Sequence, residues 1–262
     1  MRAAMLAINQ RSGKNMETQQ RIALVTGAAG GVGQSTVEKL AAEGCIVIGT
    51  DIRAIEETPP EGVVYRQHDV TSEADWQSLA AWLEEEYGHL DVLVNNAAIL
   101  MAYHIEDQSL EDFNTIMQVN CTSIFLGMKI LLPVMKKSAA ASIVNMSSTS
   151  AVGGYPHFAA YGATKAAVRN LTVSTAVYCQ TNGFPIRCNS VHPDGIFTDM
   201  ITRMQGNFPE MDPDKGARAM EFACEPAAVA DVICFLASQG ARHINGAEIR
   251  VDNSSTVQVP YF

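Results

Sequence analysis

Ile22-Ala-Leu-Val-Thr-Gly-Ala-Ala-Gly-Gly-Val-Gly33 is the stretch whose reading decides the fold. Its first five residues are apolar or β-branched at successive positions, which suits a short strand covered on both faces. Gly27, Gly31 and Gly33 follow at once, and Val32 to Glu43 reads as a helix that Gly44 ends at its C-terminal cap. A strand that enters a helix through a glycine turn brings bare backbone to a helix N-terminus. Unpaired N–H groups and the helix dipole favour a pyrophosphate there. A glycine cluster alone is weak evidence, but its place after the first strand and before a helix points to a dinucleotide. No Gly-Lys-Ser/Thr follows, so the loop is not a P-loop.

Working outward, the same rhythm repeats. Cys45 to Thr50 is a second strand and Val63 to His68 a third, after the break at Pro59-Pro60. Ser72-Glu-Ala-Asp75 resembles a capping box that opens a helix to about Tyr87. Asp91 to Asn95 is a fourth strand, and Ser109-Leu-Glu-Asp112 caps a helix expected to continue to about Lys137. Ser142 to Ser147, Ile186 to Val191 and Glu248 to Asp252 complete the strands. Helices are expected at Phe158 to Gln180 and from Pro226 to near Ser238. Strands alternating with helices imply right-handed crossovers and a parallel sheet. The expectation is an α/β fold: one Rossmann-type domain over residues 21–262, with a doubly wound seven-stranded parallel sheet in the order 3-2-1-4-5-6-7. Residues 1–20 read as a flexible N-terminal tail.

Bulk properties narrow the function. The chain has 262 residues, 47% of them hydrophobic, enough for a substantial core. Its net charge of −10 disfavours a phosphate backbone as partner, so no nucleic acid is expected. The six cysteines form no C-x-x-C pair and the histidines show no ligand spacing, so no metal is expected. Scattered thiols suit a cytoplasmic protein. No apolar run reads as a bilayer span, so no membrane is expected.

Asp51 closes the second strand at the distance past the glycine loop where a carboxylate accepts the ribose hydroxyls of NAD and repels the 2′-phosphate of NADP. Ile52 follows it, and Arg53 is the one nearby charge that offsets it. Tyr161 and Lys165 are four apart on an expected helix, hence on one face. A phenol titrates near 10. A neighbouring ammonium, with the positive ring of an oxidised nicotinamide, is expected to favour its phenolate. Tyr161 then takes a hydroxyl proton as hydride leaves the carbinol carbon. Ser147 and Ser148 end the fifth strand at the sheet's carboxyl edge, where a serine hydroxyl can hold the substrate oxygen.

As an ordered set these residues resemble the short-chain dehydrogenase/reductase family over nearly the whole chain from Arg21 on. The resemblance implies several roles. Gly27, Gly31, Val32 and Gly33 form the cofactor loop, and Asp69-Val70 is the pair that contacts adenine. Asn95-Asn96-Ala97-Ala98 is the turn beside the cofactor. Asn120 supports a proton relay through water, and Ser148 rather than Ser147 is the catalytic serine. Pro193, Gly195, Ile196 and Thr198 grip the nicotinamide carboxamide, with Tyr161 and Lys165 also touching the cofactor. The sequence departs from the pattern at Ala98, at Asp194 inside the Pro-Gly loop, and at Asp252-Asn253, where Asp-Gly-Gly is common. His192-Pro-Asp-Gly195 with Asp252-Asn-Ser254 is similar to bacterial 3β/17β-hydroxysteroid dehydrogenases and to enzymes of cyclic secondary alcohols. The family also implies a homotetramer or homodimer built on the two long helices.

Thr198 to Phe222 lies outside the strand–helix rhythm and, by the resemblance, forms a lid. It carries Met200, Met204, Phe208 and other apolar residues, and methionine repacks easily around a bulky apolar substrate. Tyr155 lies between the serine and the tyrosine and is expected to face the substrate. No Arg/Lys cluster is present to hold a carboxylate. The expected substrate is a small, neutral, hydrophobic molecule: a cyclic, terpenoid or steroid secondary alcohol or its ketone. Two alternatives stay open, an NADPH-type ketone or 3-oxoacyl reductase and a catalytically silent cofactor-binding regulator.

Overall fold

All five side chains of β1 (Ile22–Thr26) are buried, and alternate ones serve opposite faces. Ile22 and Leu24 join one apolar cluster, while Ala23 and Val25 join another. The same split recurs in β4 (Val92–Asn95), where Leu93 faces the first cluster and Val92 and Val94 face the second. This is the period-two consequence of a sheet covered on both sides. The computed structural model describes residues 20–200, 205–206 and 221–258. The expected N-terminal tail, apart from Gln20, and most of the expected lid, including Met204 and Phe208, lie outside the described residues.

The remaining sheet strands are β2 (Ile46–Asp51), β3 (Val63–Gln67), β5 (Ala141–Met146), β6 (Ile186–Pro193) and β7 (Glu248–Val251). All pairings are parallel, and the sheet runs β3-β2-β1-β4-β5-β6-β7, as expected from the sequence. α1 (Gly31–Ala42) and α6 (Pro226–Ala237) cover one face through Val37, Leu40, Val229 and Ile233. α2 (Glu73–Glu86), α4 (Ser123–Met135) and α5 (Ala159–Thr181) cover the other through Trp76, Leu83, Leu131 and Val168. Ser72 caps α2 as read from the sequence, accepting from the Asp75 N–H. Burying whole apolar side chains on both faces contributes roughly 1.5–3 kcal/mol each, before entropy is set against it.

Two expectations need correction. The helix begun at Ser109 is not uniform: α3 (Leu110–Met117) passes into a π turn at Gln118–Thr122 before α4. The extra residue in that turn aims Asn120 inward, and its side chain is fully buried. Secondly, Leu110–Met135 as a whole is long and apolar enough to cross a bilayer by length and composition. Half of its most apolar 18-residue window is buried inside the protein, because the sheet beneath it demands an apolar face.

Candidate active site

The carboxyl ends of β1, β4, β5 and β6 surround a cavity of about 600 Å³. That is where an open parallel sheet leaves room for a ligand, and the size suits a small organic molecule with part of a cofactor. At one end lies the glycine turn. Gly27 has φ +68°, and a Cβ there would meet the Ala97 Cα at 2.9 Å, so no other residue lets the two loops approach as they do. A Cβ on Gly33 would sit 2.0 Å from the Gly27 carbonyl oxygen. Gly33 is thus required by helix-on-loop packing; unlike Gly27, Gly31 and Val32 it does not line the cavity.

α1 starts at Gly31 with no side-chain cap and no acid in its first turn. Its free N–H groups and dipole are left for an outside anion. Asn96 ties the neighbouring turn to this loop, donating through Nδ2 to the carbonyls of Thr26 (3.0 Å) and Gly27 (3.2 Å). Asp51 is held in the cavity wall by the Ala29 N–H, which donates to Oδ2 at 3.1 Å. Its other oxygen faces Arg53, whose backbone N–H and Nε lie at 3.1 and 3.4 Å. An uncapped helix end, a cradle that a Cβ would fill and a fixed carboxylate at the far strand end fit a dinucleotide. Ile52, Asn96, Ala97, Pro193, Gly195, Ile196 and Thr198 also line this cavity.

At the other end, Tyr161 and Lys165 project from one face of α5, with the ammonium 5.5 Å from the phenol ring centre. Lys165 is almost wholly buried, and its Nζ donates to the Met146 carbonyl at 2.9 Å rather than to the phenol. Burial lowers it to about 8. Burial likewise pushes the Tyr161 phenol up to about 12, opposed only by its hydrogen bond with Ser148. In the protein by itself desolvation thus outweighs the ammonium, which leaves the expected phenolate dependent on the positive nicotinamide as well as on Lys165.

The two serines at the end of β5 divide their work. Ser147 Oγ donates to the Lys165 carbonyl at 3.0 Å, while Ser148 Oγ caps the Ser150 N–H at 3.1 Å and meets Tyr161. His192, 1% exposed, supports Ser148 from behind. Its Nδ1 lies 3.2 Å from the Ser148 carbonyl, which can only accept. Nδ1 therefore carries the proton, and in the neutral ring Nε2 accepts from Ser190 Oγ at 2.8 Å.

Some expected residues stand elsewhere. Asn120 does not line the cavity. Its Oδ1 accepts from the Ile99 N–H at 2.8 Å and its Nδ2 donates to the Ile99 carbonyl at 2.9 Å, clamping a segment that does line it. Asp69 and Val70 are also off the wall: the Asp69 carboxylate accepts from Thr71 N and Oγ1, and the Val70 carbonyl from Trp76 Nε1. Tyr155 and Met200 do line the cavity. The reading of single residues missed Thr149 and Asp194, which join them. Asp194 was visible only as a departure from the Pro-Gly pattern.

The two ends of the segment expected to form a lid are tied together. Cys224 N donates to the Gly195 carbonyl and Phe197 N to the Cys224 carbonyl, both at 3.0 Å. Further along, Gln205–Gly206 pairs in parallel with Met101–Ala102, beside the substrate end of the cavity.

The chain is similar to several known proteins. The family model described as "Enoyl-(Acyl carrier protein) reductase" (adh_short_C2) matches residues 27–255. The 3-beta-hydroxysteroid dehydrogenase of Comamonas testosteroni is 38% identical over 249 residues, covering 90% of this chain and 96% of the relative. The NADP-dependent (R)-specific alcohol dehydrogenase of Lentilactobacillus kefiri is 34% identical, covering 91% and 97%. The ligand-free aldohexose dehydrogenase of Thermoplasma acidophilum superposes with a TM-score of 0.81 at 29% identity, covering 93% of this chain and 97% of that one.

Proposed function

Since this chain belongs to the short-chain dehydrogenase/reductase family, whose members are oxidoreductases that use a nicotinamide cofactor, we propose that it moves a hydride between NAD and a bulky, neutral secondary alcohol or its ketone. The observation that carries the reading is that Ser148, Tyr161 and Lys165 line the same cavity as Gly31 at an uncapped helix N-terminus. When bound, the dinucleotide supplies the hydride acceptor. Ser148 holds the substrate oxygen and Tyr161 takes or returns its proton. Lys165 is the buried cation beside the phenol, fixed by the Met146 carbonyl. Ile99, Leu100, Met101, Phe158 and Met200 make the substrate end apolar, which suits a cyclic, terpenoid or steroid alcohol, and the hydroxysteroid relative points the same way.

NAD is favoured because Asp51 is fixed by the Ala29 N–H where a 2′-phosphate would sit. A second reading, NADP, has one observation behind it: Arg53 lies against Asp51 at 3.4 Å and can turn towards a phosphate. Six free cysteines fit a reducing, cytoplasmic setting, and assembly into a homodimer or homotetramer is part of the proposal.

The test is reduction of NAD and of NADP across a panel of cyclic alcohols, hydroxy acids and 3-hydroxyacyl thioesters. Turnover of neutral cyclic alcohols with NAD is expected, and Asp51→Ala should raise the NADP-to-NAD ratio of kcat/KM by about 10-fold or more, the loss of one charge–charge penalty. Preference for acids or thioesters would end the substrate assignment. A wild-type preference for NADP would end the cofactor assignment.

A further inference from the structure

The cavity has a second polar wall that the reacting carbinol does not use. Tyr155 Oη lies 3.2 Å from Thr149 Oγ1, and Thr149 Oγ1 lies 3.5 Å from an Asp194 carboxylate oxygen. All three residues line the cavity. Thr149 directly follows Ser148, so this wall stands beside the reaction centre. Hydrogen bookkeeping fixes its polarity. A carboxylate only accepts, and a threonine hydroxyl has one hydrogen to give. Thr149 gives it to Asp194, so Tyr155 must be the donor to Thr149. Burial and the nearby Asp194 and Asp252 carboxylates raise the Tyr155 phenol, keeping it protonated in that role.

Acceptor capacity is left on the phenolic oxygen of Tyr155 and on the second oxygen of Asp194, both on residues that line the cavity. Among the described residues no ion pair involves Asp194. A partly buried acceptor left unmatched by a bound ligand is costly. The wall therefore calls for a substrate that brings a donor of its own. An ammonium would have to shed its hydration among the apolar side chains of the same cavity, which disfavours it against a neutral hydroxyl. A carboxylate is repelled outright.

We infer that Asp194 is a specificity-determining residue and that the substrate is a diol: it carries a second hydroxyl, on the same ring system as the oxidised carbinol, that donates to the Asp194 carboxylate. The inference rests on the alcohol-dehydrogenase reading above. Where a plain glycine would leave only the Tyr155 and Thr149 hydroxyls in that wall, Asp194 adds the charged acceptor that selects for such a group.

The test compares kcat/KM for cyclohexanol with the 1,2-, 1,3- and 1,4-cyclohexanediols, and for a monohydroxy with a dihydroxy decalin, in wild type, Asp194→Gly and Asp194→Asn. The wild type should prefer at least one diol over its matched mono-ol by roughly 10–100-fold, the value of a hydrogen bond to a charged group. Asp194→Gly should bring that ratio to about one. Asp194→Asn, which keeps a carbonyl acceptor, should retain part of it. Equal turnover of mono-ols and diols by the wild type, or an unchanged ratio in Asp194→Gly, overturns the inference while leaving the dehydrogenase reading intact. If the wild type oxidises none of these alcohols with either cofactor, that reading falls and the inference with it.

Discussion

Tyr161 and Lys165 lie one helical turn apart, and burial moves both away from charge: the phenol up to about 12, the ammonium down to about 8. The phenolate is then the minor form at neutral pH until a cationic ligand sits beside it. Alcohol oxidation needs the phenolate and ketone reduction needs the phenol, so the two directions respond oppositely to pH. The kcat/KM for oxidation should rise between pH 7 and pH 9, while that for reduction stays level or falls. Oxidation that declines over this range would contradict the role given to Tyr161. Tyr161→Phe should lower both by roughly 10²–10⁴-fold. Spacing put Tyr161 and Lys165 on one helix face, and the serines at the end of the fifth strand gave that weak pattern its weight. The direction of the titration shift was not legible, since spacing carries no information about desolvation.

His68 shows a different consequence of burial. It is 3% exposed, packs edge-on against Trp76 at 4.3 Å, and its Nε2 finds no partner among the described residues. Desolvation lowers it to about 4, against the pull of Asp75 and Asp69. An unfolded chain takes up this proton near pH 6.5 while the folded one refuses it until about 4. Stability therefore falls as pH drops through that window, by up to about 3 kcal/mol. Urea unfolding at pH 7, 5.5 and 4.5 should show this loss, and His68→Gln should flatten the slope whatever it does to stability at pH 7. Equal slopes for the two proteins would show that other groups carry the acid sensitivity.

At the scale of elements, strands and helices announced themselves through period and punctuation, and Ser72 and Ser109 cap their helices as read. The π turn at Gln118–Thr122 did not, because its composition is ordinary helix and only the tertiary clamp between Asn120 and Ile99 selects it. The sequence placed Asn120 on the right helix; only the structure shows that its amide is committed to backbone. A second element carries visible strain. After β7 the chain turns through Asn253 and Ser254, both with positive φ (44° and 69°), at positions where glycine would be at ease. Asp252 sustains the turn, accepting from the Ser254 and Thr256 N–H groups. Asparagine tolerates this region and serine less so. Ser254→Gly should therefore stabilise the protein by about 1 kcal/mol, partly offset by the freedom glycine adds to the unfolded chain. A higher urea midpoint at unchanged m-value is the expected result. A lower midpoint would mean that the serine side chain matters more than its backbone.

The whole molecule leaves apolar surface where a soluble helix face is normally polar. Leu110, Phe113 and Phe125 on the α3–α4 helix, and Val173, Val177 and Tyr178 on α5, are exposed. Both helices cover the same side of the sheet. Burial accounts for much of the apolar character of Leu110–Met135, while on its outer side Leu110, Phe113 and Phe125 stand among polar Glu111, Asn114 and Lys129. A second copy of the chain is the proposed cover, because the same two-helix surface meeting itself across a two-fold axis buries every such residue twice. A stable contact of this kind needs on the order of 1,000 Å² or more, which two helices of this length can supply. Light scattering after size exclusion at micromolar concentration should give the mass of two or four chains. Val177→Lys and Phe125→Lys should each shift the population towards monomer, since an ammonium at the centre of an apolar contact must be desolvated without a partner. The substituted residues are exposed in the single chain, so its fold and its thermal transition measured at high dilution should change little. A wild-type protein that stays monomeric at these concentrations would remove the dimer, and with it the reason for so apolar a helix face.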